Sequence, residues 1–238
     1  MKNTSHLAMT SIRGDSGRRD ELSRLHDAAW RRIAEPGTWL AGAERCAIVS
    51  EVRRADECAL CAERKAALSP FAVDGTHDSG GVLRGELVDV VHRVATDPGR
   101  LSKKWYDAVI DAGVADTHYV EAVGITVRVV CIDSYCRAIG DPLRPPPEPV
   151  AGEPSRERPN AEPGVAWVPM VELPSLPNVG RALSLAPTEN AAMQKLVQAQ
   201  YVPVDKVRDF RFEPGRSLSR PQIELVAARV SALNECFY

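Results

Sequence analysis

The sequence predicts an all-α protein, and three observations carry that prediction. Aromatic residues are only 5% of the 238 residues, and Ala is abundant. No stretch sustains the two-residue alternation of apolar and polar side chains that marks a half-buried strand. Helix punctuation recurs instead, with small polar capping residues ahead of apolar-periodic runs and Gly or Pro behind them.

The first helix is expected over about Asp20 to Ala34, with Leu22, Leu25, Ala29 and Ile33 on one face and Pro36-Gly37 as the stop. A second follows from Trp39 to Arg54. A third begins near Asp56 in DECALCAERKAAL, with Asp56 as its cap and Ser69-Pro70 as its end. Further helices are expected over Leu83 to Thr96, over Leu101 to Ala112 capped by Ser102, and over Asp116 to Ile139 with Gly140 behind it. Eleven of the eighteen prolines lie between Asp141 and Pro177, where regular helix cannot persist. That segment reads as a solvated linker, with Trp167, Val168 and Met170 near its end packing onto the second half. Helical pattern resumes near Val179, with a piece over Asn190 to Gln200 and a last helix opening at Ser219, where Ser219 and Gln222 have capping-box spacing. The organisation expected is a first helical half over 1–140, a proline-rich linker over 141–178 and a second helical half over 179–238.

Hydrophobic residues at 44%, charged residues at 26% and a formal net charge of −2 describe an ordinary globular chain. That balance gives no general attraction to phosphate backbones or membrane surfaces, so nucleic acid and membrane are not expected partners. No run of 18 apolar residues occurs and the N-terminal stretch lacks a signal-peptide core, which points to the cytoplasm. Six cysteines (Cys46, Cys58, Cys61, Cys131, Cys136 and Cys236) are too few for a secreted disulfide scaffold. In a reducing compartment they are thiols, metal ligands or a working redox pair, and only Cys58 and Cys61 have C-x-x-C spacing.

The chain ends SRPQIELVAARVSALNECFY, with Glu224 followed by eleven residues, then Cys236, then Phe237 and Tyr238. This stretch resembles the alkylhydroperoxidase D / carboxymuconolactone decarboxylase superfamily. Its signature is a glutamate, eleven residues, a cysteine, two residues, a second cysteine, three residues and a histidine. Asn234 also fits the related N-x-C-x-Y-C pattern, whereas the second cysteine and the histidine are absent. The text is similar as well to alkylhydroperoxidase-related selenoproteins, in which selenocysteine directly follows CFY. A UGA codon translated as a stop would account for the end of the chain; the competing readings are a cloning boundary, a pseudogene or a natural C-terminus.

A thiolate, not a thiol, attacks peroxide, and a helix start favours that anion. With Asn234 as cap, Cys236 would occupy such a position. Glu224 would accept the proton if burial raises its pKa toward neutrality. Taken alone, Glu224 is a surface charge and Cys236 an inert buried thiol; the spacing between them favours the redox reading.

An internal repeat extends the resemblance. Laying ADECALCAERK over LNECFY aligns Cys58 with Cys236 and Asp56 with Asn234, so the first half keeps the C-x-x-C that the second lacks. In the same register Cys46 replaces Glu224 and Lys65 stands where the histidine would be, which makes the first copy a candidate degenerate site. For Cys58 and Cys61 the order of readings is a redox pair, then packed structural thiols, then a zinc site with Cys131 and Cys136. Lys65 could favour a Cys61 thiolate. His92, His118, Tyr119 and Glu121 could complete a proton relay, but they are read first as satisfied helix residues and, for Glu121, an exposed carboxylate.

The resemblance implies a duplicated all-α fold, commonly an oligomer of identical chains, that reduces hydroperoxides through a C-x-x-C or Cys/selenocysteine pair recycled by an external dithiol reductant. It implies no metal, haem or flavin. Cys236, Glu224, Cys58 and Cys61 are the expected catalytic residues, although the chain as it stands could be inactive. The alternatives are a carboxymuconolactone decarboxylase-like enzyme and a non-catalytic helical protein that senses redox state through its thiols.

Overall fold

The computed structural model describes residues 16–234, apart from 165 and 175. Nine α-helices and three short 3-10 turns form its regular structure, and no strand occurs among the described residues, as the all-α expectation requires. The first half holds α1 (Ser16–Ala34), α2 (Gly42–Ala55), α3 (Ala59–Ala66), α4 (Gly85–Thr96), α5 (Lys103–Asp111) and α6 (Asp116–Ile139). The second holds α7 (Asn178–Arg181), α8 (Pro187–Gln200) and α9 (Arg220–Leu233). No helix among the described residues is long and apolar enough to cross a membrane.

Local chemistry sets several helix ends. Ser102 Oγ accepts the Trp105 N–H at 3.2 Å and so satisfies one of the open donors at the head of α5. Gly140 closes α6 at a φ of 76°, where a side chain would be strained, and its N–H reaches the Arg137 and Cys136 carbonyls. At the head of α9 the Ser219 N–H donates to Gln222 Oε1 at 2.9 Å. Asp56 departs from expectation. The end of α2 winds on through bonds from Glu57 N to Arg54 O and Cys58 N to Ala55 O, so the cap position of α3 passes to Cys58.

α2, α4 and α6 pack on one another at the centre. Ile48, Val49, Val90, Val91, Ile125 and Val129 are fully buried there. Each such side chain contributes about 1.5–3 kcal/mol through removal of apolar surface from water. α1 lies against α2 and α8, and α8 also packs on α6.

The proline-rich segment lies along the first half. Trp30 Nε1–H donates to the Pro145 carbonyl at 2.8 Å. The Val150, Ser155 and Arg156 N–H groups donate to the carbonyls of Ala34, Gly37 and Thr38. Prolines have no N–H to give, so the residues between them carry these bonds. Trp167, expected against the second half, lies over Tyr106 of α5 with ring centres 6.1 Å apart. Val171 N–H bonds Ser184 Oγ at 2.9 Å, which links the end of the segment to the second half.

A buried charge network spans both halves. Arg45 of α2 pairs with Glu121 of α6 and, at 2.8 Å, with Glu189 of α8, while Arg128 of α6 also pairs with Glu189. All four side chains are essentially closed to water. Two cations against two anions leave no net charge in the interior, which is how such burial is tolerated. Gly37 adjoins the network, and a Cβ there would collide with the Glu121 carboxylate and the Arg45 guanidinium.

Candidate functional site

The turn after α2 delivers Cys58 to the cap position of α3 and Cys61 to its first turn. Both are buried, at 2% and 5% exposure. Two imidazoles face them. His77 comes from the irregular segment 73–84, and its Nδ1 lies 3.6 Å from Cys58 Sγ and 3.5 Å from Cys61 Sγ. His92 comes from α4, with Nδ1 3.3 Å from Cys61 Sγ. The four donor atoms all lie within 4.8 Å of one another.

Each imidazole is held from behind by a carboxylate. His77 Nε2 is 2.8 Å from Asp89 Oδ1, and His92 Nε2 is 3.1 Å from Glu51 Oε2. Asp89 and His92 are three residues apart on α4 and therefore share a face. Glu51 projects from α2, which packs on α4. Glu51 also accepts the Gly80 N–H at 2.7 Å and so ties down the segment that carries His77. Gly75 in that segment passes close to Leu60, where a Cβ would come within 2.8 Å of Leu60 Cδ1. Asp89 receives bonds from Arg64 and from Trp105 Nε1, both at 2.7 Å.

The electrostatics divide the two thiols. Burial alone would push Cys58 up, but the Cys61 and Asp78 N–H groups and both imidazoles outweigh it and bring Cys58 down to about 6. Burial and the neighbouring Cys58 sulfur push Cys61 up to about 12. Burial likewise opposes ionisation of Asp89, yet bonds from His77 and Trp105 and the nearby guanidinium groups hold its carboxyl well below the usual range. A cavity of about 450 Å³ opens beside this array, bounded by Arg64, His77, Asp89 and Trp105 among others. His77 lines it, and neither cysteine does.

Of the residues singled out in the sequence, Cys58 and Cys61 come together here. Cys236 lies outside the described residues. Glu224 is on α9, where its side chain is 36% exposed and accepts from Tyr201 Oη at 2.5 Å and Arg220 Nε at 2.6 Å. The Tyr201 bond outweighs desolvation and, with Arg220, holds its carboxyl below the usual range, so burial does not lift Glu224 toward neutrality. Lys65 is exposed, and the neighbouring Arg64 faces the site instead. Cys131 and Cys136 do not join Cys58 and Cys61: Cys131 meets Gln200 Oε1 at 3.2 Å, and Cys136 accepts from Arg144 at 3.1 Å. Cys46 is buried in α2, and that burial raises its thiol.

His92, read from sequence as a satisfied helix histidine, faces Cys61. His118 and Tyr119 fit the structural reading, whereas Glu121, expected as an exposed carboxylate, is fully buried. His118 lies beside Trp39, Tyr119 packs on Tyr106, and Glu121 belongs to the buried charge network. Glu51, His77 and Asp89 were not visible as site residues from the sequence. The available signal was the Asp89-x-x-His92 spacing on one face of α4. α2 and α9 both span fourteen residues, and each ends three residues before a cysteine, Cys58 and Cys236. Comparison with protein-family models, curated proteins and solved structures finds no match to this chain.

Proposed function

We propose that the chain is a dithiol oxidoreductase that reduces hydroperoxides at Cys58 and Cys61. The observation that carries this reading is a buried C-x-x-C at a helix start, faced by two imidazoles that are each oriented by a carboxylate. The resemblance of the sequence to the alkylhydroperoxidase D superfamily supports the same chemistry.

Cys58 is the attacking sulfur, because its charge is favoured by the Cys61 backbone N–H at the start of α3. Its thiolate attacks the terminal oxygen of ROOH and the O–O bond breaks, leaving Cys58 sulfenic acid and an alkoxide. A proton delivered through His77 turns the alkoxide into ROH. Cys61 then attacks the sulfenic sulfur; its proton passes to His92, which hands it on to the departing hydroxide to give water. The two electrons delivered to the peroxide come from the two sulfurs, which end as a disulfide. An external dithiol restores them by exchange. The cavity beside His77 is the side from which substrate approaches the sulfurs. A reducing compartment such as the cytoplasm suits a centre that cycles through free thiols.

The test is hydroperoxide consumption by the purified chain with dithiothreitol as reductant. Cys58→Ser should reduce the rate to background, and Cys61→Ser should let dimedone trap a sulfenic acid on Cys58. A double variant that consumes peroxide as fast as the parent contradicts the proposal.

A further inference from the structure

Two imidazoles aim the same ring nitrogen, Nδ1, at the two sulfurs. In both rings the opposite nitrogen, Nε2, is held by a carboxylate. This outward carboxylate–imidazole pairing is the arrangement that orients histidines toward a bound metal and raises their basicity.

We propose that Cys58, Cys61, His77 and His92 form a Cys2His2 site for a divalent zinc-type ion. A tetrahedral zinc ion has bonds of about 2.3 Å to sulfur and about 2.0–2.1 Å to nitrogen, so sulfur and nitrogen on one edge of the tetrahedron stand about 3.5 Å apart. Three of the four sulfur–nitrogen separations are 3.3, 3.5 and 3.6 Å, and all four donor atoms lie within 4.8 Å of one another. Two thiolates neutralise the charge of the ion, which a buried position requires. Two soft sulfurs with two imidazoles favour zinc over magnesium or calcium, which take oxygen ligands. The ligands are C-x-x-C followed by single histidines from a loop and from α4. Zinc-finger spacing, with its histidines three to five residues apart, therefore does not reveal the site. Cys131 and Cys136 take no part.

The inference does not depend on peroxide being a substrate. If it is, metal and disulfide exclude one another, because both need the same sulfurs: the metal-bound dithiol is the resting form and oxidation of the two thiolates releases the ion.

The reduced, metal-stripped chain is titrated with Co²⁺ as a spectroscopic probe. One ion per chain should bind, with tetrahedral ligand-field bands and thiolate-to-cobalt charge transfer. His77→Ala should weaken binding more than about a hundredfold, Asp89→Asn by about 10- to 100-fold through loss of the supporting bond, and Cys131→Ser should change nothing. His77→Cys should keep tetrahedral cobalt and strengthen the charge-transfer band, a result that loss of folding cannot mimic. Octahedral cobalt, no charge transfer, or binding untouched in both His77→Ala and His92→Gln overturns the site. Peroxide consumption is read separately on the same metal-stripped chain. Tetrahedral cobalt without peroxide turnover keeps the metal site and removes the peroxidase, and turnover without cobalt bands does the reverse.

Discussion

Cys58 sits where the start of a helix, two imidazoles and a second sulfur meet, and its lowered pKa sets it apart from Cys46, Cys61 and Cys131, whose thiols are raised. In the reduced, metal-free chain its value of about 6 lies below the ordinary 9.0. The thiolate therefore forms as pH rises through about 6, and alkylation by iodoacetamide should rise across that point and level off above it. Cys61, at about 12, adds nothing to that step. On the peptide 55–64, which holds both cysteines, fragment ions should assign the step to Cys58 rather than Cys61, displaced to higher pH in His77→Ala. Gly37 makes a different demand, since its missing side chain leaves the room in which Glu121 and Arg45 meet. Gly37→Ala should destabilise the fold by about 1–3 kcal/mol, as overpacking a filled interior does, measured as a lowered urea midpoint.

At the scale of elements, the fold was more legible than the site. Ser102, Gly140 and Gln222 state their helix ends locally, because a cap is decided by a few neighbouring residues. The C-x-x-C spacing announces Cys58 and Cys61 in the same local way. The other four are different: His77 and His92 reach the sulfurs, and Asp89 and Glu51 the imidazoles, through the packing of α2 on α4 and the course of segment 73–84, of which the Asp89-x-x-His92 spacing is the one local sign. Asp56 was misread because the winding of α2 past its own end moves the next cap two residues on. α8 offers a test of packing between elements. Glu189 is its one buried anion, set between Arg45 and Arg128, and Glu189→Ala would leave two guanidinium groups facing one carboxylate. A loss of about 3–5 kcal/mol in urea unfolding is expected, the cost of stranding a buried charge; a loss below 1 kcal/mol would show that the network is hydrated in solution.

Across the whole molecule, the proline-rich segment behaves as a strap. Its anchored amides at Val150, Ser155 and Arg156 should exchange hydrogen more slowly than those of Ala151 and Gly152 between them. Uniform fast exchange would return it to a solvated linker. The strap, the buried charge network and the α2–α4–α6 core fix the platform on which one dithiol meets two carboxylate-backed imidazoles. The most direct test of that centre is a single turnover: one equivalent of hydroperoxide added to the reduced, metal-free chain, followed by peptide mass mapping. A Cys58–Cys61 disulfide formed with consumption of the whole equivalent is the expected result. Peroxide left unconsumed, or a disulfide formed only between other cysteines, would contradict it.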